Sequence, residues 1–560
     1  MRTSTTFELA DNIVRECHAQ FDKLPKNGKP AKRNNGQAEW TILAGIVMAT
    51  PVKDQHSTAS NGTENTEESV QTEAVWEIEC ISLATGSKCL PQGKQSPRGD
   101  LLNDCHAEVL ARRGFNRWCL HEMQRSIDEC DDLKRKFKYL GARNHDVQQE
   151  NLPLFELTNV GTQFHLYISQ APCGDATTAS LALTQSEESR NAFMAGQQRR
   201  PKSATQELTA PGDQDLSTSP VTGSKRGREA EVLVEPSETL APSTKLQKRD
   251  STSTTAAAKS HTPSESGVQK DKQLVCSDLV LSFRRGRIDY DSVGVLRTKP
   301  GRVDSEPTLS MSCSDKIARW NIMGLNSALV MPFLEKPIYL ESVVTKELFD
   351  AEALKRALFG RIQDCRQRTD HMTGSRTDEA STTSATLHPH GISLHESKIP
   401  FEFSKEAVSK LTEQGGITSP PVACTSSLSW IASEPQLTEV LINGCRAGAS
   451  VKKQIQPKSR SRLCKINMFE SSVALWKSVS PQPPLVQSMM SKTITGSPSE
   501  SGPMSITYHE WKRLDTNYTK AKQLLFAGVF LNWVRGAASL EFFNIHGDTI
   551  SDQSNRQKEK

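Results

Sequence analysis

The sequence predicts a mixed α/β fold, a sheet flanked by helices, and three observations carry that prediction. Two strand-like runs, Trp40–Met48 and Ala74–Leu83, read as a hairpin, and Phe164–Ser169 reads as a buried strand. Helical periodicity takes over at Asn103–Met123, near Ser314, and from Tyr508 to Trp533. The eight tryptophans, at 40, 76, 118, 320, 430, 476, 511 and 533, mark buried surface and leave gaps where no core can form.

In chain order, residues 1–39 are an N-terminal extension, 40–547 hold the folded domain, and 548–560 are a polar tail. The hairpin strands are separated by a polar loop, 51–73. Asn103–Met123 is a helix because Asn103 or Asp104 can cap it, with Val109, Leu110, Phe115 and Trp118 following at helical spacing. Residues 185–272 are built from Ser, Thr, Ala, Pro, Gln, Lys and Glu, with Phe193 the only aromatic. Such a stretch cannot bury enough apolar area to offset chain entropy, so it is predicted to be a disordered insertion. A helix starts near Ser314 and runs through Ile317 and Trp320. Residues 366–396 lack any aromatic and are predicted to be a further disordered loop. Tyr508–Trp533 has no internal proline and reads as one long helix. No internal repeat is present.

Composition excludes several classes. The 560 residues carry 69 Lys and Arg against 65 Asp and Glu, and at 36% hydrophobic the chain is not disordered as a whole. No run is long enough to span a bilayer, and Met1–Gln20 has no apolar core of a signal peptide. Thirteen cysteines without dense spacing do not make an extracellular disulfide framework, so an intracellular protein of nucleus or cytoplasm is expected. Lys225–Arg228 and Lys248–Arg249 read either as a nuclear signal or as solvated charge.

Three helix starts carry chemistry. They are Asn103–Glu108 (NDCHAE), Ala171–Asp175 (APCGD) after the buried strand, and Ser312–Lys316 (SCSDK). Zinc takes imidazole nitrogen and thiolate sulfur, and a catalytic site leaves a fourth position for water. A helix N-terminus favours the thiolate. In H-x-E the imidazole can ligate while the carboxylate stays free to move protons. Taken singly, H-x-E is ordinarily a capped helix start, P-C-G a turn, and one buried cysteine inert. Together, in this order, they match the signature of nucleobase deaminases. One departure matters: three residues after Cys173 stands Ala176, not a second cysteine, so Cys313 is the candidate third ligand.

Cys105–Arg113 (CHAEVLARR), Pro172–Ala176 (PCGDA), Leu296–Lys299 (LRTK) and Met311–Asn321 (MSCSDKIARWN) strongly resemble the adenosine deaminases acting on RNA. Leu24–Pro30 (LPKNGKP) ahead of Glu39–Thr41 is similar to the eukaryotic branch that acts on tRNA and forms inosine immediately 3′ of the anticodon. The resemblance runs, with gaps at the insertions, from about Ala10 to Trp533. It implies a cytidine-deaminase-like sheet flanked by helices and enlarged by a C-terminal half. It also implies zinc held by His106, Cys173 and Cys313, with Glu108 as the catalytic proton shuttle. Ser87 and Lys88 either contact a flipped nucleotide or simply form a turn.

Between 452 and 535 there are thirteen Lys and Arg against four Asp and Glu, several beside apolar or aromatic residues. A generic basic segment is an RNA-facing surface. Buried like charges, by contrast, need an anion. The resemblance implies one, an enclosed inositol hexakisphosphate. Carried over by motif, its contacts are Asn103, Val109, Arg112, Arg113, Ser310, Lys316, Arg319, Lys465, Tyr508, Lys512, Tyr518, Lys522 and Trp533. Lys299 becomes a relay between this group and the zinc. Ala328 and Arg535-Gly536 depart from the family pattern.

The expected function is therefore zinc-dependent deamination of adenosine in tRNA, alanine tRNA by resemblance, with no membrane and no obligate protein partner. A double-stranded-RNA deaminase is the nearest alternative, and the 39 residues before Trp40 leave no room for its RNA-binding domains. A catalytically inactive RNA-binding partner is the other, and Glu108 argues against it.

Overall fold

The computed structural model describes residues 6–52, 75–128, 135–140, 155–180, 281–286, 292–299, 306–363, 389–415, 419–449, 455–479 and 506–549. The insertion expected at 185–272 lies outside them, as do nearly all of the expected 51–73 loop and most of the expected 366–396 loop.

The chain opens with a helix, α1 (Thr6–Lys23), in the segment expected only as an extension. Ala10, Ile13, Val14, Cys17 and Phe21 fall on one side of it and are buried. The predicted hairpin follows as antiparallel β1 (Leu43–Pro51) and β2 (Trp76–Thr85). Two short strands come next, β3 (Ser87–Cys89) and β4 (Asp104–His106), paired with each other. Helix α2 (Ala107–Asp128) then begins, several residues later than its capping signal suggested. Asp104 is a buried strand residue and caps nothing on α2; its Oδ1 accepts from the His106 amide at 3.1 Å.

The predicted buried strand is β5 (Gln163–Gln170), and the predicted helix near Ser314 is α3 (Cys313–Met323), capped by Ser312. Strand β6 (Ser342–Glu347) leads into helix α4 (Ala351–Lys355), which continues as a π turn, Arg356–Gly360. Strand β7 (Ser393–Glu396) falls inside the segment expected to be a disordered loop: its backbone pairs in parallel with β6, so ladder hydrogen bonds order it without any aromatic. Strands β8 (Ser427–Ile431), β9 (Glu439–Ile442) and β10 (Cys445–Arg446) precede helix α5 (Lys465–Ser478).

Eight strands join in the order β7-β6-β5-β1-β2-β8-β9-β10. The first three are parallel and the remainder antiparallel. Side-chain alternation divides the sheet into two buried faces. Ala44, Ile46, Met48, Phe164, Leu166 and Ile168 meet Phe115, Trp118 and Leu110 of α2. Leu43, Val47 and Tyr167 meet α1 on the other side, where His18 and Tyr167 OH approach to 2.8 Å. The mixed α/β expectation holds, as three layers.

The long helix expected over Tyr508–Trp533 is broken. α6 (Tyr508–Trp511) stops, and α7 (Thr516–Ala527) restarts with Asp515 accepting from the Tyr518 amide at 2.7 Å. Leu514 between them is buried, so the chain leaves the helix to bring an apolar side chain into the core and takes a fresh cap at the next residue. Among the described residues no helix is long and apolar enough to cross a membrane.

Candidate active site

Three loops at one end of α2 and α3 bring the sequence-predicted donors together. His106 ends β4 and is buried. Cys173 follows β5 on a loop whose Gly174 adopts φ 108°, where a Cβ would lie 2.2 Å from Ser312 Oγ. That loop docks on the start of α3: Ser314 donates its amide to the Cys173 carbonyl at 3.0 Å and its hydroxyl to the Pro172 carbonyl at 3.2 Å. Cys313 is the first residue of α3 and donates its amide to Cys173 Sγ at 3.4 Å. The donor atoms of His106, Cys173 and Cys313 all lie within 4.8 Å of one another. His106 Nδ1 is 3.6 Å from Cys313 Sγ and 3.9 Å from Cys173 Sγ. Glu108, one residue into α2, is 1% exposed, and its Oε2 has no hydrogen-bond partner.

Lys299 is buried against this group, 2.6 Å from Cys313 Sγ, 3.8 Å from Cys173 Sγ and 3.4 Å from Asp104 Oδ2. Burial works against its charge, yet Asp104, the two thiols and Glu108 raise its pKa well above the ordinary lysine value. Asp104 also pairs with Lys316. Burial would push the Asp104 carboxyl up, but Lys299, Lys316 and His106 hold it well below the usual carboxylate range. The two cysteines titrate as a pair. Hydrogen bonding with Cys313, aided by Lys299 and His106, pushes one proton off Cys173, while burial and that neighbour hold the proton on Cys313. In the sequence Asp104 reads only as a possible helix cap; nothing in its neighbours reveals that two lysines distant in sequence converge on it.

The two-stranded β3–β4 pair sets Ser87 opposite His106 and Lys88 opposite Cys105. Gly86 permits this approach, since a Cβ there would lie 2.2 Å from the Cys105 carbonyl oxygen. Ser87 is half-buried and Lys88 exposed.

Beyond Asp104 opens a cavity of about 510 Å³ lined by seven lysine and arginine side chains and one carboxylate, Glu541. Of the thirteen residues carried over by resemblance, Asn103, Ser310, Lys316, Arg319, Lys465, Lys512, Lys522 and Trp533 lie on its wall. Of the other expected contacts, Val109, Arg112, Arg113, Tyr508 and Tyr518 do not line it. Arg112 is packed under Trp320 and donates to the Asn326 carbonyl at 2.8 Å, with its Nε unpartnered. Arg113 donates to the Leu463 carbonyl. The Tyr508 ring stacks on Phe543 and lies beneath Lys465 and Lys512. Tyr518 is half-buried against the core, and Val109 is half-buried on α2.

The cations are held uneasily. Burial, with Lys512 and Arg319 adding, lowers Lys522 to about 7. Burial, with Lys512 and Arg113 adding, lowers Lys465 to about 8. Burial and Arg319 bring Arg112 down to about 9. Glu541, paired with Lys512 at 2.7 Å, is depressed to about 2 against the effect of its burial, by Lys512 and Lys465. Glu541 carries no signal in the sequence, where it stands alone in an unremarkable apolar run. Arg535, a departure from the family pattern, lines the cavity and covers the Phe526 ring at 4.7 Å.

One imidazole, two thiols and an unengaged carboxyl at adjoining strand and helix ends are the groups of a hydrolytic nucleobase deaminase. Residues 82–537 match the adenosine-deaminase (editase) domain, and the chain belongs to that family: it is an adenosine deaminase. It is 28% identical to the human tRNA-specific adenosine deaminase 1, over 94% of this chain and 98% of that protein. The Drosophila melanogaster tRNA-specific adenosine deaminase 1 is also 28% identical, over 95% of this chain and 96% of its own length. A rat double-stranded RNA-specific adenosine deaminase matches 64% of this chain and 21% of its own length, again at 28% identity.

Proposed function

We propose that this enzyme converts adenosine to inosine in tRNA, at the adenosine immediately 3′ of the anticodon of an alanine tRNA. The observation that carries the catalytic reading is the convergence of His106, Cys173 and Cys313 beside a buried carboxyl, Glu108, with a free oxygen. The tRNA reading is supported by likeness along nearly the whole chain to proteins named for tRNA, against partial likeness to those named for double-stranded RNA. The fold is read as cytidine-deaminase-like, and the enzyme as acting inside the cell, in nucleus, cytoplasm or both. The ten free cysteines among the described residues are consistent with that setting.

The donor set suits zinc, and His106, Cys173 and Cys313 are assigned as its ligands. Zinc, when bound, supplies the Lewis acidity that makes water nucleophilic near neutral pH. Glu108 does the proton work. It takes a proton from the attacking water and delivers it to the ring nitrogen beside C6. It then takes the second proton, from the hydroxyl now on C6, and gives it to the departing amino group, so that ammonia leaves and the C6 carbonyl of inosine remains. Ser87 and Lys88, across the ladder from His106 and Cys105, are assigned to the nucleotide, which must leave its stack to reach this depth.

The cavity is assigned to inositol hexakisphosphate. Seven cations facing one carboxylate, with lysines driven toward neutrality, fit a polyanion that the chain itself does not supply. Lys316, Asp104 and Lys299 form the relay from that wall to the thiols.

Incubating the purified protein with a panel of tRNA transcripts and reading inosine by sequencing tests the assignment. Inosine 3′ of the anticodon in alanine tRNA is the expected result. Editing of duplex RNA with none of tRNA would overturn it.

A further inference from the structure

Each cysteine of the site is followed two residues on by a fully buried aspartate, Asp175 after Cys173 and Asp315 after Cys313. Asp175 accepts Arg356 Nε on Oδ2 at 3.0 Å, and its carbonyl takes Arg356 Nη2 at 3.1 Å. Asp315 accepts Arg361 Nη2 on Oδ1 at 2.6 Å. Both arginines come from the continuation of α4: Arg356 opens the π turn and Arg361 follows it. Five residues apart on an α-helix, they would point about 140° away from each other. They do not, because Arg356–Gly360 is a π turn, closed by the Arg361 amide donating to the Arg356 carbonyl. An i→i+5 turn returns residue i+5 toward the side it left.

We propose that Arg356 and Arg361, aligned by this π turn, are positioning residues that fix the Cys173 loop and the Cys313 helix start relative to each other. No hydrogen bond joins either to a donor sulfur among the described residues; each holds an aspartate two residues along the chain from one. Without the π turn α4 could reach one aspartate but not both. Arg361 is anchored for the task, donating also to the Ala357 and Val295 carbonyls at 3.0 and 2.9 Å. Arg356 is the more accessible partner, with its side chain 29% exposed. The inference rests on the assignment of Cys173 and Cys313 as zinc ligands.

The test uses the full chain with Arg356→Gln, Arg356→Lys, Asp175→Asn and the Arg356→Gln/Asp175→Asn double variant. Two readouts are taken: the rate at which a chromogenic chelator removes zinc, and the visible spectrum of the cobalt-substituted protein, which reports thiolate geometry. Groups that hydrogen-bond a metal ligand directly are ordinarily worth roughly 10- to 100-fold in metal affinity, and for arginines acting one step further out that range is an upper bound. Zinc loss should therefore quicken by up to roughly that factor in Arg356→Gln, with altered cobalt bands, partial recovery in Arg356→Lys, and a double variant no worse than either single. The thermal unfolding midpoint should fall in Arg356→Gln, which leaves the buried Asp175 carboxylate without its cation, and recover in part in the double variant, so the cobalt bands and not the midpoint report the positioning. Should Asp175→Asn fail to fold, Arg356→Gln decides alone. Zinc loss at the wild-type rate with an unchanged cobalt spectrum overturns the inference. A wild-type protein that binds no zinc overturns the ligand assignment and the inference with it.

Discussion

Lys299 Nζ lies 2.6 Å from Cys313 Sγ, with no side-chain surface open to solvent. An ammonium at that depth is tolerable only among negative partners, and Asp104 at 3.4 Å is the fixed one. Lys299→Met should leave Asp104 with Lys316 alone and cost about 3–5 kcal/mol, the range for breaking a buried pair. A denaturant titration of the purified variant measures it. An unchanged midpoint would mean that Lys316 satisfies Asp104 unaided.

Glu108 and Cys313 separate chemistry from ligation. Glu108→Gln preserves the shape of a buried side chain and removes its basicity, so deamination should fall at least 100-fold, as for loss of a general acid–base group. Zinc content should stay near that of the wild type. Cys313→Ala should lower zinc and activity together. Metal analysis beside an inosine assay distinguishes them, and full zinc in Cys313→Ala would break the three-ligand assignment.

Gly174 is constrained twice, by φ 108° and by Ser312 within 2.4 Å of any added Cβ. Gly174→Ala should cost about 1–3 kcal/mol of backbone strain and more from the clash, and should displace Cys173 from Cys313. Gly448→Ala is the control, since it has φ 84° with nothing within 4 Å. Equal melting temperatures for the two variants would show that the clash with Ser312 is relieved at no cost.

The donors were legible because their spacing is local. H-x-E, P-C-G and S-C-S-D each specify a strand end or helix start, and the hairpin and β5 follow from runs of apolar residues. What stayed hidden is settled by distant partners. Asn103 and Asp104 look like caps, yet Asp104 is held in a strand by pairing with Cys89 and by two lysines. The stretch 508–533 has no proline, yet it breaks where Leu514 is buried and Asp515 caps a new helix, which Gly528 ends at Ala527. Strand β7 owes its order to β6, whereas α1 does carry a sequence signal, Ala10, Ile13, Val14, Cys17 and Phe21 at helical spacing. Five of the seven cationic residues described on the cavity wall were legible by resemblance; Arg513 and Arg535 were not, nor was Glu541, which acquires meaning only beside Lys512.

The cavity lysines give the last prediction, through their protons. Lys522 and Lys465 sit at about 7 and about 8 in the folded chain, below the ordinary 10.5. Between pH 7 and 10 these two lysines therefore bind more protons in the unfolded chain than in the folded one, and their contribution to stability without a polyanion rises with pH. Buried thiols raised above 9, such as Cys105 and Cys464, act in the opposite sense above about pH 8 whether or not a polyanion is bound, so the comparison with and without it isolates the lysines. The gain from the lysines is on the order of a few kcal/mol, since each pKa unit is worth about 1.4 kcal/mol. Glu541 does not contribute in this window, because its stabilisation is lost only on acidification below the usual carboxylate range. A polyphosphate in the cavity reverses the sign: it keeps both lysines charged, so its stabilisation is present near pH 7 and fades as pH climbs toward their raised pKa values. Thermal unfolding at pH 7 and 9, with and without added inositol hexakisphosphate, reads the slope directly. Protein from a host lacking inositol polyphosphates should be poorly soluble at pH 7 and be rescued by the added compound. Phosphorus analysis of nucleic-acid-free protein from an ordinary host should find the group already bound. No phosphorus, together with the same slope in both titrations, would remove the polyanion from the cavity.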